Sequence, residues 1–325
     1  MTQLPQPAQP QQPRNQPEGR SRPPHPATSP GETVRALSQT QRAGQAHGWD
    51  RRRAALSPSR AKDFLQCPLL FRLRTVDRLP EPGSLATHKG TVVHSVLERL
   101  YDLPATERTA QAAVAMLPGQ WEAHREKNPA VMELFTDAAQ VEKWLEEVQD
   151  LVRAYFSLED PTRLEPAERE LLVQVETSDG LLLRGFVDRL DVAPDGAMRV
   201  VDYKTGRSPH PRYIEDALFQ MRFYGLVLWR LRGRVPARLQ LVYLRDGRTL
   251  THDPRPGELE SAEIRLTQMW HEIEDCARAG EFRPRRSRLC DWCSFQPQCP
   301  LFGGTTPSIP DDGLARLLTA RRPAS

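Results

Sequence analysis

Long apolar runs are missing from this chain. No stretch of its 325 residues approaches the ~20 consecutive apolar positions that cross a bilayer, and no apolar segment opens the N-terminus as a secretory signal would. Those two absences argue against a membrane-embedded or exported protein, and a soluble cytoplasmic one is expected. Cysteine is scarce, five in all, and cytoplasmic thiols stay reduced, so a disulfide framework is not expected. A large charge of one sign is missing too: 45 basic against 42 acidic side chains leave +3, which excludes a globally basic coat for nucleic acid. There is no internal repeat and no G-x4-G-K-[ST] loop, so no phosphate-cradling motor element is present.

Proline is abundant, and much of it lies in the first fifty-odd residues ("QLPQPAQPQQPRNQPEGRSRPPHPATSP"). That segment has no hydrophobic period and cannot bury enough apolar surface to offset its ordering entropy. Residues 1–54 are therefore expected to be a disordered Pro/Gln/Arg-rich leader, 55–302 the folded domain, and 303–325 a C-terminal tail. Within the domain, "SPSRAKDFLQCPLLFRLR" reads as a helix capped by Ser57 or Ser59. "THKGTVVHSVLERLYDL" is amphipathic at helical spacing, and residues 106–157 continue as helices. The period then shortens to two. "LLVQVET", "LLLRGFVDRLDV" and "AMRVVDYKT" read as strands, the last two joined by the turn "APDG". A helix over 214–232, a strand in "ARLQLVYLRD" and a helix over 258–280 complete an α/β unit with helical additions.

Charge inside an apolar strand is costly, which makes "VVDYKTG" (Val200–Gly206) conspicuous. On a strand Asp202 and Lys204 share one face and Tyr203 points to the other. If the hairpin pairs Val192 with Met198, Asp188 falls opposite Asp202, with Cβ atoms about 4.5–5.5 Å apart. Two facing carboxylates must share a proton or a cation, and a divalent ion such as Mg²⁺ or Mn²⁺ suits hard oxygen ligands. Lys204 would stand beside that ion. His94 and Glu98, at i and i+4 on one helix, present one face, and a neutral His94 imidazole is a candidate to complete the shell. Packing as a core histidine is the plainer reading of His94, as a surface ion pair is of D-x-K.

Cys290, Cys293 and Cys299 form C-x2-C-x5-C, with Cys67 far upstream. Four thiolates suit a tetrahedral zinc or a cubane iron–sulfur cluster, and the spacing leaves both open. Cys276 falls in an apolar helical pattern and is expected to pack in the core.

Taken together, these residues resemble the PD-(D/E)XK nuclease superfamily, and within it the RecB-type exonucleases with an iron–sulfur cluster, such as the AddB nuclease domain and the CRISPR-adaptation nucleases. The ordered resemblance spans roughly Ser57 to Leu301. "SPSRAKDFLQC" resembles the opening segment with its first cysteine, "GTVVHSVLE" the histidine motif, and "GFVDRLD" the first acidic motif. "VVDYKTG" is similar to the D-x-K motif, "QMRFY" to the Gln-x3-Tyr helix, and "CDWCSFQPQC" to the three-cysteine clasp. The resemblance implies a restriction-endonuclease-like mixed β-sheet flanked by helices, with a helical insertion and a clasp tying N- and C-terminal segments. It implies catalytic roles for His94, Asp188, Asp202 and Lys204, with metal held by His94, Asp188, Asp202 and the Tyr203 carbonyl. Gln220 and Tyr224 would support the site or the DNA, and Asp191 would stand behind it. Cys67, Cys290, Cys293 and Cys299 would hold a [4Fe–4S] cluster. The implied activity is Mg²⁺- or Mn²⁺-dependent hydrolysis of DNA, as a single-strand-directed exonuclease of repair or recombination, acting alone or with a separate helicase. Arg283, Arg285, Arg286 and Arg288 would guide the strand. The rival readings are a catalytically silent DNA-binding or helicase-partner module and an electron-transfer protein.

Overall fold

The computed structural model describes residues 53–321. The leader expected over 1–54 therefore lies outside the described residues, apart from its last two positions. Ala55 and Leu56 are buried, and Leu56 bridges in parallel to Leu183.

Period-two segments build one sheet of five strands, β1 (Glu168–Glu176), β2 (Leu182–Val192), β3 (Met198–Lys204), β4 (Arg238–Tyr243) and β5 (Arg248–His252), in the order 1-2-3-4-5. β1–β2, β2–β3 and β4–β5 are antiparallel hairpin neighbours. β3 and β4 run parallel, which requires a crossover, and the helix Ile214–Arg232 provides it. The sheet is thus mixed, as the resemblance implied.

The remaining helices, in chain order with that crossover as α5, are α1 (Pro58–Gln66), α2 (Leu85–Leu100), α3 (Ala110–Lys127), α4 (Ala138–Leu158), α6 (Pro256–Ala279) and α7 (Asp311–Leu318). Four of them start on a side chain that accepts a backbone N–H three residues on: Ser57, Ser84, Thr109 and Asp137. Such caps satisfy donors that the first turn cannot. Between α1 and α2 the chain makes a helical turn, Pro68–Phe71, that widens into a π-helical stretch, Arg72–Val76.

Alternation along the strands sends neighbouring residues to opposite cores. Val200, Leu239 and Leu241 pack with Phe64 of α1, Met221 and Phe223 of α5, Trp270 of α6 and Leu317 of α7. Val201, Tyr203 and Val242 face the helical insertion, against Val92, Val96, Leu117, Val148 and Val152. The expected tail from 303 onward carries α7, whose Leu317 is buried in the first core. A third, small apolar cluster of Leu69, Leu70, Leu73 and Phe295 packs against Cys67, Cys293 and Cys299.

Among the described residues, no helix is long and apolar enough to cross a membrane.

Candidate metal centre and cysteine clasp

Two acidic side chains meet at the end of the β2–β3 hairpin. Pairing runs from Val192↔Met198 to Arg189↔Val201, so the next step sets Asp188 against Asp202. The Tyr203 N–H donates to Asp188 Oδ2 at 2.7 Å. Asp202 is 3% exposed. Its Oδ1 accepts from Gln220 Nε2 at 2.7 Å, while Lys204 Nζ donates to Gln220 Oε1 at 3.1 Å. One amide of α5 thereby holds both members of the D-x-K pair. Lys204 Nζ also stands 2.6 Å from Asp202 Oδ2, an ion pair to a buried oxygen.

Burial raises the Asp188 carboxyl well above the usual range, and the Asp202 charge adds to it. The Tyr203 N–H and Lys204 oppose that rise. The Tyr224 phenol is raised by burial first and then by Asp202, which puts its hydroxyl end in the same field. Tyr224 fits because residue 185 is glycine: a Cβ there would lie 2.7 Å from Tyr224 Cε1.

His94 enters from α2 on the opposite side of the sheet. Its Nε2 lies 2.9 Å from the Tyr203 carbonyl oxygen. Its Nδ1 is 3.5 Å from Asp188 Oδ2 and 4.0 Å from Glu170 Oε1. Glu170, on β1, is absent from the sequence-based set. It sits between the pairs Arg169↔Arg189 and Leu171↔Val187, directly across from Asp188, and adopts φ 43°, a left-handed conformation unusual for a long side chain. Burial first, and Asp188 next, push its carboxyl up to about 7. Ligand atoms of His94, Glu170 and Asp188 all lie within 4.8 Å of one another. Asp202 falls outside that trio, on the Lys204–Gln220 side. Asp191 also points elsewhere, accepting from Arg199 Nε at 2.8 Å. The signal that would have located Glu170 is the register of the β1–β2 hairpin, which sequence reading did not assign.

The cysteines gather at the other end of α1. Cys67, Cys290, Cys293 and Cys299 line a cavity of about 30 Å³ together with Leu69, Leu70, Leu73 and Phe295. The Arg285 and Ser287 N–H groups donate to Cys67 Sγ and Cys290 Sγ, each at 3.3 Å. All five cysteines are free, and Cys276 packs half-buried against the first core instead. Of the nearby arginines, Arg283 pairs with Glu281, Arg285 donates to the Leu65 carbonyl, and Arg286 stacks over Phe302. Trp292, between Cys290 and Cys293, is 78% exposed.

Residues 55–300 match the sequence model of the PD-(D/E)XK nuclease superfamily. The chain is 31% identical to the Gene 69 protein of Mycobacterium phage L5 over 127 residues, 38% of this chain and 41% of that protein. It is 25% identical to the Gene 69 protein of Mycobacterium phage D29 over 271 residues, 76% of this chain and 96% of that one. The chain thus spans less than half of the L5 relative and nearly all of the D29 one. A solved structure of a candidate exonuclease from Eubacterium rectale aligns over 74% of this chain and 86% of its own, at 15% identity and a TM-score of 0.47.

Proposed function

Because the chain belongs to the PD-(D/E)XK nuclease superfamily, we propose that it is a divalent-metal-dependent deoxyribonuclease of the RecB type, directed at single strands in repair or recombination. The observation that carries the reading is the buried Asp202 carboxylate, held by Gln220 and flanked by Lys204, with Asp188 facing it across the hairpin. Facing carboxylates repel unless they share a proton or a cation.

The residues fit such an ion. Asp202 Oδ2 is buried with no hydrogen bond of regular geometry, Asp188 and Asp202 are hard oxygen donors, and the Tyr203 carbonyl and His94 lie alongside. When bound, a divalent ion supplies Lewis-acid stabilisation of phosphoryl charge and lowers the pKa of water. The chain's own part is positional. The Tyr203 N–H fixes Asp188, the Gln220 amide fixes Asp202, and Lys204 places an ammonium where charge grows on the phosphate. Tyr224 and the Gly185 notch close the floor of the site.

The four clasp cysteines suit a [4Fe–4S] cluster. Backbone N–H donors to sulfur and an apolar surround are the levers that tune such clusters, and Cys67 and Cys290 have those donors. A single zinc, with Zn–S of about 2.3 Å, draws its sulfurs to roughly 3.8 Å from one another. Among the described residues no three cysteine sulfurs come within 4.8 Å, which favours the wider cluster.

The test is degradation of end-labelled single-stranded oligonucleotide in Mg²⁺ or Mn²⁺ by wild type, Asp202→Ala and Lys204→Ala. Loss of roughly 10²–10³-fold in rate is expected for each variant, the scale of removing one preorganised charge-stabilising group. DNA bound but left intact by wild type in both metals overturns the reading in favour of a silent binding module.

A further inference from the structure

We propose that the arginine-lined cavity between α1, the start of β2, the π-helical stretch and α7 is a phosphate site, in which Arg60 and Arg78 hold the anion. It stands apart from the metal centre: Arg184, on its β2 wall, precedes Asp188 by four residues, roughly 13 Å of extended strand. No part of it depends on the nuclease reading.

Five arginines line the cavity, Arg53, Arg60, Arg78, Arg184 and Arg316, and no carboxylate is among its lining residues. Close backbone packing brings them together. Residue 313 is glycine, and a Cβ there would lie 2.8 Å from the Val76 carbonyl oxygen. α7 therefore rests directly on the π-helical stretch and delivers Arg316 to the cavity. The Leu56–Leu183 bridge sets the entry to α1, and with it Arg60, beside Arg184. Arg78 follows the π-helical stretch at φ 53°, a left-handed conformation that glycine or asparagine usually fills.

The charges are not neutralised from within. Arg53 pairs with Glu176 at 2.7 Å and Arg316 with Asp312, while Arg184 Nε donates to Gln174 Oε1 at 2.7 Å. Arg60 Nη1 donates to the Ala55 carbonyl at 2.7 Å, which satisfies a donor and leaves the charge. Among the described residues neither Arg60 nor Arg78 makes an ion pair, and the carboxylates nearest in sequence are held by others: Asp63 and Glu81 by Arg74, Asp77 by Arg72. Burial lowers the Arg60 guanidinium from its usual range, and the Arg184 and Arg78 charges lower it further, with Asp63 opposing. An anion among like charges relieves both effects, and guanidinium forks match phosphate oxygens two at a time. Volume decides the size of that anion. About 50 Å³ is several times the ~10–15 Å³ that one water needs, enough for a tetrahedral oxyanion and too little for a sugar and base to enter with it. The ligand is thus a phosphate group, free or at the end of a nucleic-acid strand.

The test measures binding in EDTA. Inorganic phosphate is titrated calorimetrically into full-length wild type, Arg60→Gln, Arg78→Gly and Arg153→Gln. Fluorescence anisotropy then compares a short single-stranded oligonucleotide bearing a 5′-phosphate with the same strand bearing a 5′-hydroxyl. Glycine accepts the left-handed backbone, glutamine keeps a donor for the Ala55 carbonyl, and Arg153 is an exposed α4 arginine outside the cavity. Circular dichroism checks that each variant is folded. Wild type binds one phosphate, both cavity variants bind it at least tenfold more weakly, and Arg153→Gln is unchanged. A 5′-phosphate preference that both cavity variants lose assigns the group to a strand end; equal binding of the two strands, with inorganic phosphate still weakened in the variants, assigns it to free phosphate. No phosphate bound by wild type in either form, or affinities unchanged in Arg60→Gln and Arg78→Gly, overturns the proposal.

Discussion

Gly185 shows how one residue sets the site's shape. Its neighbours on β2 are ordinary strand residues, but the Tyr224 ring lies where its side chain would begin. Gly185→Ala must push that ring or the α5 backbone aside, an overpacking change that costs about 1–3 kcal/mol. The expected outcome is a lower urea midpoint with unchanged m-value, together with weakened DNA cleavage. An unchanged midpoint would mean that Tyr224 moves freely. At this scale the sequence was informative wherever chemistry is local. The acid and base of "VVDYKTG" announce themselves because charge is expensive in an apolar strand, and Asp188 followed from one hairpin register. Glu170 was hidden: "ERELLVQ" reads as a regular strand, and nothing in it declares a left-handed residue where glycine or asparagine is the usual signal.

Elements carry the site through what lies behind them. Beneath β2 and β3, Arg189 is 1% exposed and bonds Glu159 at 2.7 Å and the Tyr203 hydroxyl at 2.5 Å. That buried ion pair ties the end of α4 to β2, the strand bearing Asp188, and the hydroxyl contact carries the tie on to β3. The long helices were legible from their periodicity, α5 with the same bounds that the structure gives it. β5 was not, since "RTLTH" is a short edge strand with little apolar content and only pairing with β4 makes it one. α7 was passed over because eight residues give too little pattern. The clasp is the element on which the proposed cluster would act. Cys67 and Cys290 are 223 residues apart in sequence (290 − 67), so a cluster joining them closes a very long loop, worth about 5 kcal/mol by closure entropy. Cys293→Ser is expected to lose iron and sulfide together and to lower Tm by on the order of 10 °C. Anaerobically purified wild type that contains one zinc and no iron would replace the cluster by a zinc site.

At the scale of the whole molecule, the mixed sheet places chemistry where its topology changes. β3 and β4 run parallel and the remaining neighbours antiparallel, and the crossover helix α5 returns over the sheet carrying Gln220 and Tyr224 to the carboxyl end of β3. From the other face the helical insertion delivers His94. Contributions from β1, β2, β3, α2 and α5 converge on one point, a convergence that composition alone cannot foretell and the order of motifs does. The account stands on Asp188 and Asp202 gripping a common divalent ion. A crystal soaked in Mn²⁺ and measured at the manganese absorption edge tests this directly. The predicted result is an anomalous peak about 2.0–2.3 Å from a carboxylate oxygen of each aspartate. A map at saturating Mn²⁺ with no peak touching both side chains contradicts it.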